Sequence, residues 1–169
     1  TIFPSQHAFA ALKEDGSVVT WGKGGSGGDS TAVADQLSSD VQTIFSNRRA
    51  FAALKDDGSV VTWGDADNGG DSVAVATKLQ GDVVTIFPNQ NAFAALKADG
   101  SIVTWGASTH GGNSSSVAAH LAGGVVEGFS SIFAFAALKA DGSVVTWGGS
   151  GYGANSSSVA AHLAGGVVE

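Results

Sequence analysis

The chain repeats itself every 42 residues, four times, with no insertion or deletion, and this period constrains its fold more than any single residue does. Phe9-Ala10-Ala11-Leu12-Lys13 runs into Asp15-Gly16-Ser17-Val18-Val19-Thr20-Trp21-Gly22, and the string returns at Phe51 to Gly64, Phe93 to Gly106 and Phe135 to Gly148. The repeats are 1–42, 43–84, 85–126 and 127–168, and 1–169 reads as one repeat domain. Asn113 to Glu127 and Asn155 to Glu169 match at all fifteen positions, which fits recent duplication or deliberate design. The start at Thr1 rather than Met fits a removed leader or a chain cut from a longer one.

The third unit shows the local pattern. Val83-Val84-Thr85-Ile86-Phe87 is β-branched and aromatic, as strands are. Ala92 to Lys97 favours helix by composition but is too short for a stable one. Asp99-Gly100 is a tight-turn signal and Ser101 to Trp105 a clear strand, so Ala92 to Lys97 is predicted to be its hairpin partner. Asn113 to Ser116 offers capping side chains, Val117 and Leu121 share a helix face, and Gly123-Gly124 stops the turn. Each unit is therefore predicted as three antiparallel strands and one short outer helix. Val103 and Trp105 point to one side of their strand, Ile102 and Thr104 to the other. Both sides carry bulk, so each unit needs neighbours, and alanines 92, 94 and 95 would let sheets approach closely.

The end units carry no polar caps of the kind open solenoids use. The chain starts in the second half of a strand, Thr1-Ile2-Phe3, and ends in the first half of the same strand, Val167-Val168-Glu169. Joined, these halves would seal a ring. The expected fold is therefore α+β, a closed fourfold pseudosymmetric ring, propeller-like, with Thr1 beside Glu169 and a monomeric state. An open array assembling between chains is the alternative.

Composition narrows function. The hydrophobic fraction of 43% supports a core, and 25 glycines favour turns over long helices. The net charge of -7 opposes binding to nucleic acid or to anionic membranes. The chain has no cysteine, so neither disulfides nor thiolate metal sites are available.

Candidate sites are few. Asp65, Asp67, Gly69 and Asp71 alternate like a calcium loop, but Ala76 stands where a bidentate Glu is needed, and unit 1 has Lys23-Gly24-Gly25 there. A solvated turn with Asp71 as a cap is the simpler expectation. Of the histidines His7, His110, His120 and His162, the last two occupy a position that is Gln36 and Lys78 in other units, as exposed helix surface would. Ser114-Ser115-Ser116 fits capping and no nucleophile pattern. Gly22 to Gly27 lacks the ending of a phosphate loop. Trp21, Trp63, Trp105 and Trp147 could stack on sugars, but sharing a strand face with valines predicts four equivalent core positions. No catalytic, cofactor-binding or metal-binding residue is assigned, and no cofactor is expected.

The Ala-Leu, Asp-Gly, Trp-Gly pattern at Ala10 to Gly22, Ala52 to Gly64, Ala94 to Gly106 and Ala136 to Gly148 resembles the repeat of the regulator of chromosome condensation family. The resemblance covers about a third of each unit and implies a propeller of mainly seven blades. It also favours an extracellular or cell-surface setting, through likeness to tandem repeats of large bacterial proteins. Family repeats are longer; Gly27-Gly28-Asp29-Ser30 replaces their Gly-Gln-Leu-Gly segment, and their His position holds Ala8, Ala50, Ala92 and Ala134. That family includes a nucleotide exchange factor for a small GTPase, and none of its exchange-factor residues carries over. The predicted function is a non-catalytic scaffold module, one ring or ring segment of a larger repeat protein; the alternative is a carbohydrate- or protein-binding module using repeated loops on one face.

Overall fold

The computed structural model describes residues 1–168, and its strands follow the repeat. Strands β1 (Ile2–Pro4), β2 (Ala8–Leu12) and β3 (Val18–Gly22) form the first antiparallel sheet. The second holds β4 (Val41–Ser46), β5 (Ala50–Lys55) and β6 (Val60–Gly64). The third holds β7 (Val83–Pro88), β8 (Ala92–Lys97) and β9 (Ile102–Gly106), and the fourth β10 (Val125–Ser130), β11 (Ala134–Lys139) and β12 (Val144–Gly148). In each sheet the alanine-rich strand lies in the middle. Ala95, for example, pairs with Ile86 on one side and Val103 on the other, so two ladders override its helical propensity.

The hairpin turn is fixed by its Asp-Gly-Ser sequence. Asp57 Oδ1 accepts the Ser59 amide at 2.8 Å and the Ser59 hydroxyl at 2.6 Å. Gly58 has φ 76°, and a methyl there would lie 2.8 Å from the Asp82 amide nitrogen. The turn is thus pressed against the start of the sheet's first strand, where Val83 N–H donates to Gly58 O at 3.0 Å.

Alternation along the strands gives each sheet two unlike faces. One is shallow and built of Ala92, Ala94 and Leu96; the other is deep and carries Phe93, Ala95, Val103 and Trp105. The deep face of one unit packs on the shallow face of the unit before it. Phe93, Ala95, Val103 and Trp105 thus share a cluster with Ala50, Ala52 and Leu54, and Phe135, Ala137 and Trp147 share one with Ala92, Ala94 and Leu96. Burying each Phe, Val or Leu contributes roughly 1.5–3 kcal/mol, so the core lies between units rather than within them.

Three expectations are corrected. The chain is mostly β rather than α+β: the predicted outer helix is 3-10 turns, as at Thr31–Val33 and Val73–Leu79. The apolar spacing holds, since Leu37, Leu79 and Leu121 are buried, but the segments are too short for a cooperative α-helix. Second, the fourfold ring is not sealed within one chain. Phe9 and Trp21 on the deep face of unit 1 are 42% and 43% exposed, against 0% and 4% for Phe51 and Trp63. Val167 and Val168 lie outside any strand, and the expected neighbour of Thr1, Glu169, lies outside the described residues. Third, the tryptophans are therefore not equivalent, and the monomer expected from self-closure loses its premise.

Candidate functional site

The two ends of the sheets differ in chemistry. At one end lie the Asp-Gly-Ser turns, the same in every unit. At the other lie two loops per unit: the one entering the central strand (residues 5–7, 47–49, 89–91 and 131–133) and the one leaving the third strand (23–28, 65–70, 107–112 and 149–154). Backbone bonds join them: Lys23 N–H to His7 O, Asp65 N–H to Arg49 O, Ala107 N–H to Asn91 O, and Gly149 N–H to Phe133 O, all 2.8–3.0 Å. The three positions that differ in all four units, those of His7, Lys23 and Ser26, therefore meet on one rim.

The rim has a constant frame under its variable side chains. Asn47 Nδ2 donates to Asn68 O at 2.6 Å and Asn89 Nδ2 to His110 O at 2.7 Å, while Ser5 and Ser131 hydroxyls reach the matching carbonyls of Ser26 and Tyr152. A backbone chain runs from unit to unit below it: Gln6 N–H to Arg48 O, Arg48 N–H to Gln90 O, and Gln90 N–H to Ile132 O. On this frame the chemistry changes from unit to unit. Arg49 lies 3.8 Å from Asp65. Asn91 Nδ2 donates to Asn68 Oδ1 across the junction of units 2 and 3. At the third junction, the Phe133 ring sits 4.2 Å from His110 and meets Tyr152 edge-on at 4.6 Å. His110 Nδ1 is buried there without a hydrogen-bond partner among the described residues.

The candidates from sequence fall as follows. Asp65 accepts from the Asn68 amide and side chain and caps a 3-10 turn, and Asp71 Oδ1 accepts the Val73 amide at 2.8 Å; both carboxylates thus act as turn caps. Among the described residues no cluster of three metal-ligating side chains forms, and the histidines stay apart. His7, His120 and His162 are exposed, while His110 is the rim residue described above. Asn113 Oδ1 caps through the Ser115 amide at 2.9 Å. Trp63, Trp105 and Trp147 are core residues whose indole N–H groups donate to Gly27, Gly69 and Gly111 carbonyls at 3.1 Å, so they offer no face to a sugar. Sequence reasoning missed the His110–Phe133–Tyr152 group, because residues 19 and 23 apart meet only where the two loops of one unit come together beside a loop of the unit before.

Outer grooves of about 530–630 Å³ recur beside the third strands of units 2 to 4. Their hydroxyls are already committed: Thr62 Oγ1 donates to Gly70 O at 3.2 Å and pairs with the Ser72 hydroxyl at 2.9 Å. These bonds hold the 3-10 segment over the edge strand, where a fourth strand could otherwise pair.

No family profile matches the chain, and no curated protein matches it in sequence. Solved structures share its fold. Prp20p from Saccharomyces cerevisiae, known for its binding to Gsp1p and histones, matches with a TM-score of 0.60 and 19% identity over 88% of this chain and 44% of its own. Yeast RCC1 (Prp20) in its complex with Kap60 gives 0.59 and 18% over 88% and 43%. The ectodomain of the Arabidopsis thaliana receptor kinase ACR4 gives 0.56 and 16% over 87% and 51%. The chain has the RCC1-type propeller repeat fold, and it spans about half the length of these structures.

Proposed function

We propose that the chain is a non-catalytic scaffold that binds protein through its variable rim. The observation that carries this reading is the segregation of variation: the three positions that differ in all four units, those of His7, Lys23 and Ser26, gather at one end over a frame of repeated hydrogen bonds, while the Asp-Gly-Ser turns at the other end stay constant. A scaffold of near-identical hairpins can vary such loops without disturbing its core. The rim offers an Arg49–Asp65 pair, amides at Asn68 and Asn91, and aromatics at Phe133 and Tyr152, a mixture typical of protein interfaces. That Prp20p binds Gsp1p and histones supports a protein partner for this fold. The carbohydrate reading loses its platform, since three of the four tryptophans are buried.

The test compares variants of the two ends on protein and glycan arrays. A rim variant, Arg49→Ala with Phe133→Ser and Tyr152→Ser, is expected to lose the protein ligands of the parent chain. A turn-end variant, Ser17→Ala with Ser101→Ala, is expected to keep them. Binding confined to glycans, or lost only in the turn-end variant, would refute the reading.

A further inference from the structure

We infer that the deep face of unit 1 is a docking surface for the shallow face of unit 4 in a second copy of this chain, so that two copies close one ring of eight units. This does not rest on the rim's binding function. The two end surfaces are the separated halves of an interface that the chain itself builds three times.

At each inner junction a Phe–Trp pair, stacked at 5.2–5.3 Å, covers a glycine of the preceding unit. A methyl on Gly27 would lie 2.4 Å from the Phe51 ring, and one on Gly69 would lie 2.7 Å from Phe93. The indole N–H then donates to that glycine's carbonyl. Unit 1 presents the same knob: Phe9 and Trp21 stack at 5.3 Å, are more than 40% exposed, and the Trp21 indole has no partner among the described residues. Unit 4 presents the same socket. Gly153 has φ 107°, like Gly27, Gly69 and Gly111, and a methyl there would meet nothing within 4 Å.

The match extends toward the ring's centre and its rim. Ile44 packs with Phe3, and Ile86 with Phe45; at the free ends Ile2 is 61% exposed and Phe129 48%. On the rim, the residue seven places into one unit meets residue 26 of the unit before, as Asn91 meets Asn68 and Phe133 meets His110. For the new junction the same rule pairs His7 with Tyr152, again one imidazole and one aromatic ring. A head-to-tail contact closes when the rotation it imposes completes a circle. About 88% of this chain corresponds to 44% of Prp20p, so two copies span about the length of one such propeller.

Analytical ultracentrifugation of the chain at tens of micromolar is expected to show one species of twice the 16.7 kDa chain mass. Trp21→Glu and Ala136→Glu damage opposite ends, and each alone is expected to weaken pairing about 30-fold or more and sediment as a single chain. Mixed one to one, they retain one undamaged junction and are expected to recover the doubled mass. Recovery also proves both variants folded. A wild-type chain that stays at 16.7 kDa, a ladder of higher masses, a Trp21→Glu chain that still pairs, or a mixture that fails to recover would each overturn the proposal.

Discussion

Units 1 and 3 carry the same hairpin, yet their aromatic pairs live in different environments. Phe93 and Trp105 are buried against Ala50, Ala52 and Leu54, while Phe9 and Trp21, in the same stacked geometry, face outward. The stack and the ladder are therefore properties of the sheet, whereas the core is a property of the junction. One sheet is a rigid ribbon with two half-cores, and stability accrues when a second sheet arrives.

The sharpest way to break this comparison is to truncate the two tryptophans in turn. Trp105→Ala removes a buried ring and its bond to Gly69 O, and is expected to cost roughly 3–5 kcal/mol. Trp21→Ala is expected to cost about 1 kcal/mol or less when measured by urea denaturation of the dilute, unpaired chain. Association with a second copy adds stability only as concentration rises, so dilution separates folding from docking. Equal losses at both positions would mean that the sheet, not the junction, holds the core.

A smaller difference comes from the sockets. Gly69→Ala and Gly153→Ala both place a side chain at positive φ, which costs about 1 kcal/mol at either site. Only at Gly69 does the methyl also strike a ring, at 2.7 Å from Phe93, which adds about 1–3 kcal/mol of overpacking. Gly153→Ala is expected to leave thermal unfolding of the dilute chain nearly unchanged beyond the shared strain while weakening self-association. If the two variants melt alike, the inner socket is looser than its geometry indicates.

The strands, the hairpin turn and the inter-unit core were legible in the sequence, because each depends on residues close together or on plain alternation. Asp99-Gly100 overruled the helical propensity of Ala92 to Lys97, and the bulk on both faces of Ser101 to Trp105 announced neighbours on both sides. The helix type was not legible. Val117 and Leu121 have α spacing, but the segment joins a capping turn to a Gly stop too quickly for more than a turn or two, and 3-10 bonds fill it. Closure failed for another reason. The 42-residue period does not say how many units turn a full circle, which depends on the angle between sheets. The rim cluster at His110, Phe133 and Tyr152 escaped because nothing local links it.

The smallest expected contrast lies in the turns. Asp15, Asp57, Asp99 and Asp141 each accept the hydroxyl and amide of the Ser two residues on, and these bonds hold all four carboxyls below the usual range. Asp15 has a further donor, Lys13 Nζ at 3.0 Å, and is depressed furthest. A carboxyl whose folded pKa lies below its unfolded value contributes stability above the unfolded range and loses it as pH falls through the folded value. Acid should therefore loosen every turn, with unit 1 the last to protonate. Carbon-13 NMR titration of the side-chain carboxyls checks the order. Because these groups are exposed, salt screens the Lys13 contribution, so 1 M NaCl should raise Asp15 toward the other three and move them little. Ser59→Ala should raise Asp57 alone. If Asp15 keeps its lead in high salt, its extra depression comes from turn geometry rather than from the lysine, and the first turn would differ from the inner ones in shape as well as in charge.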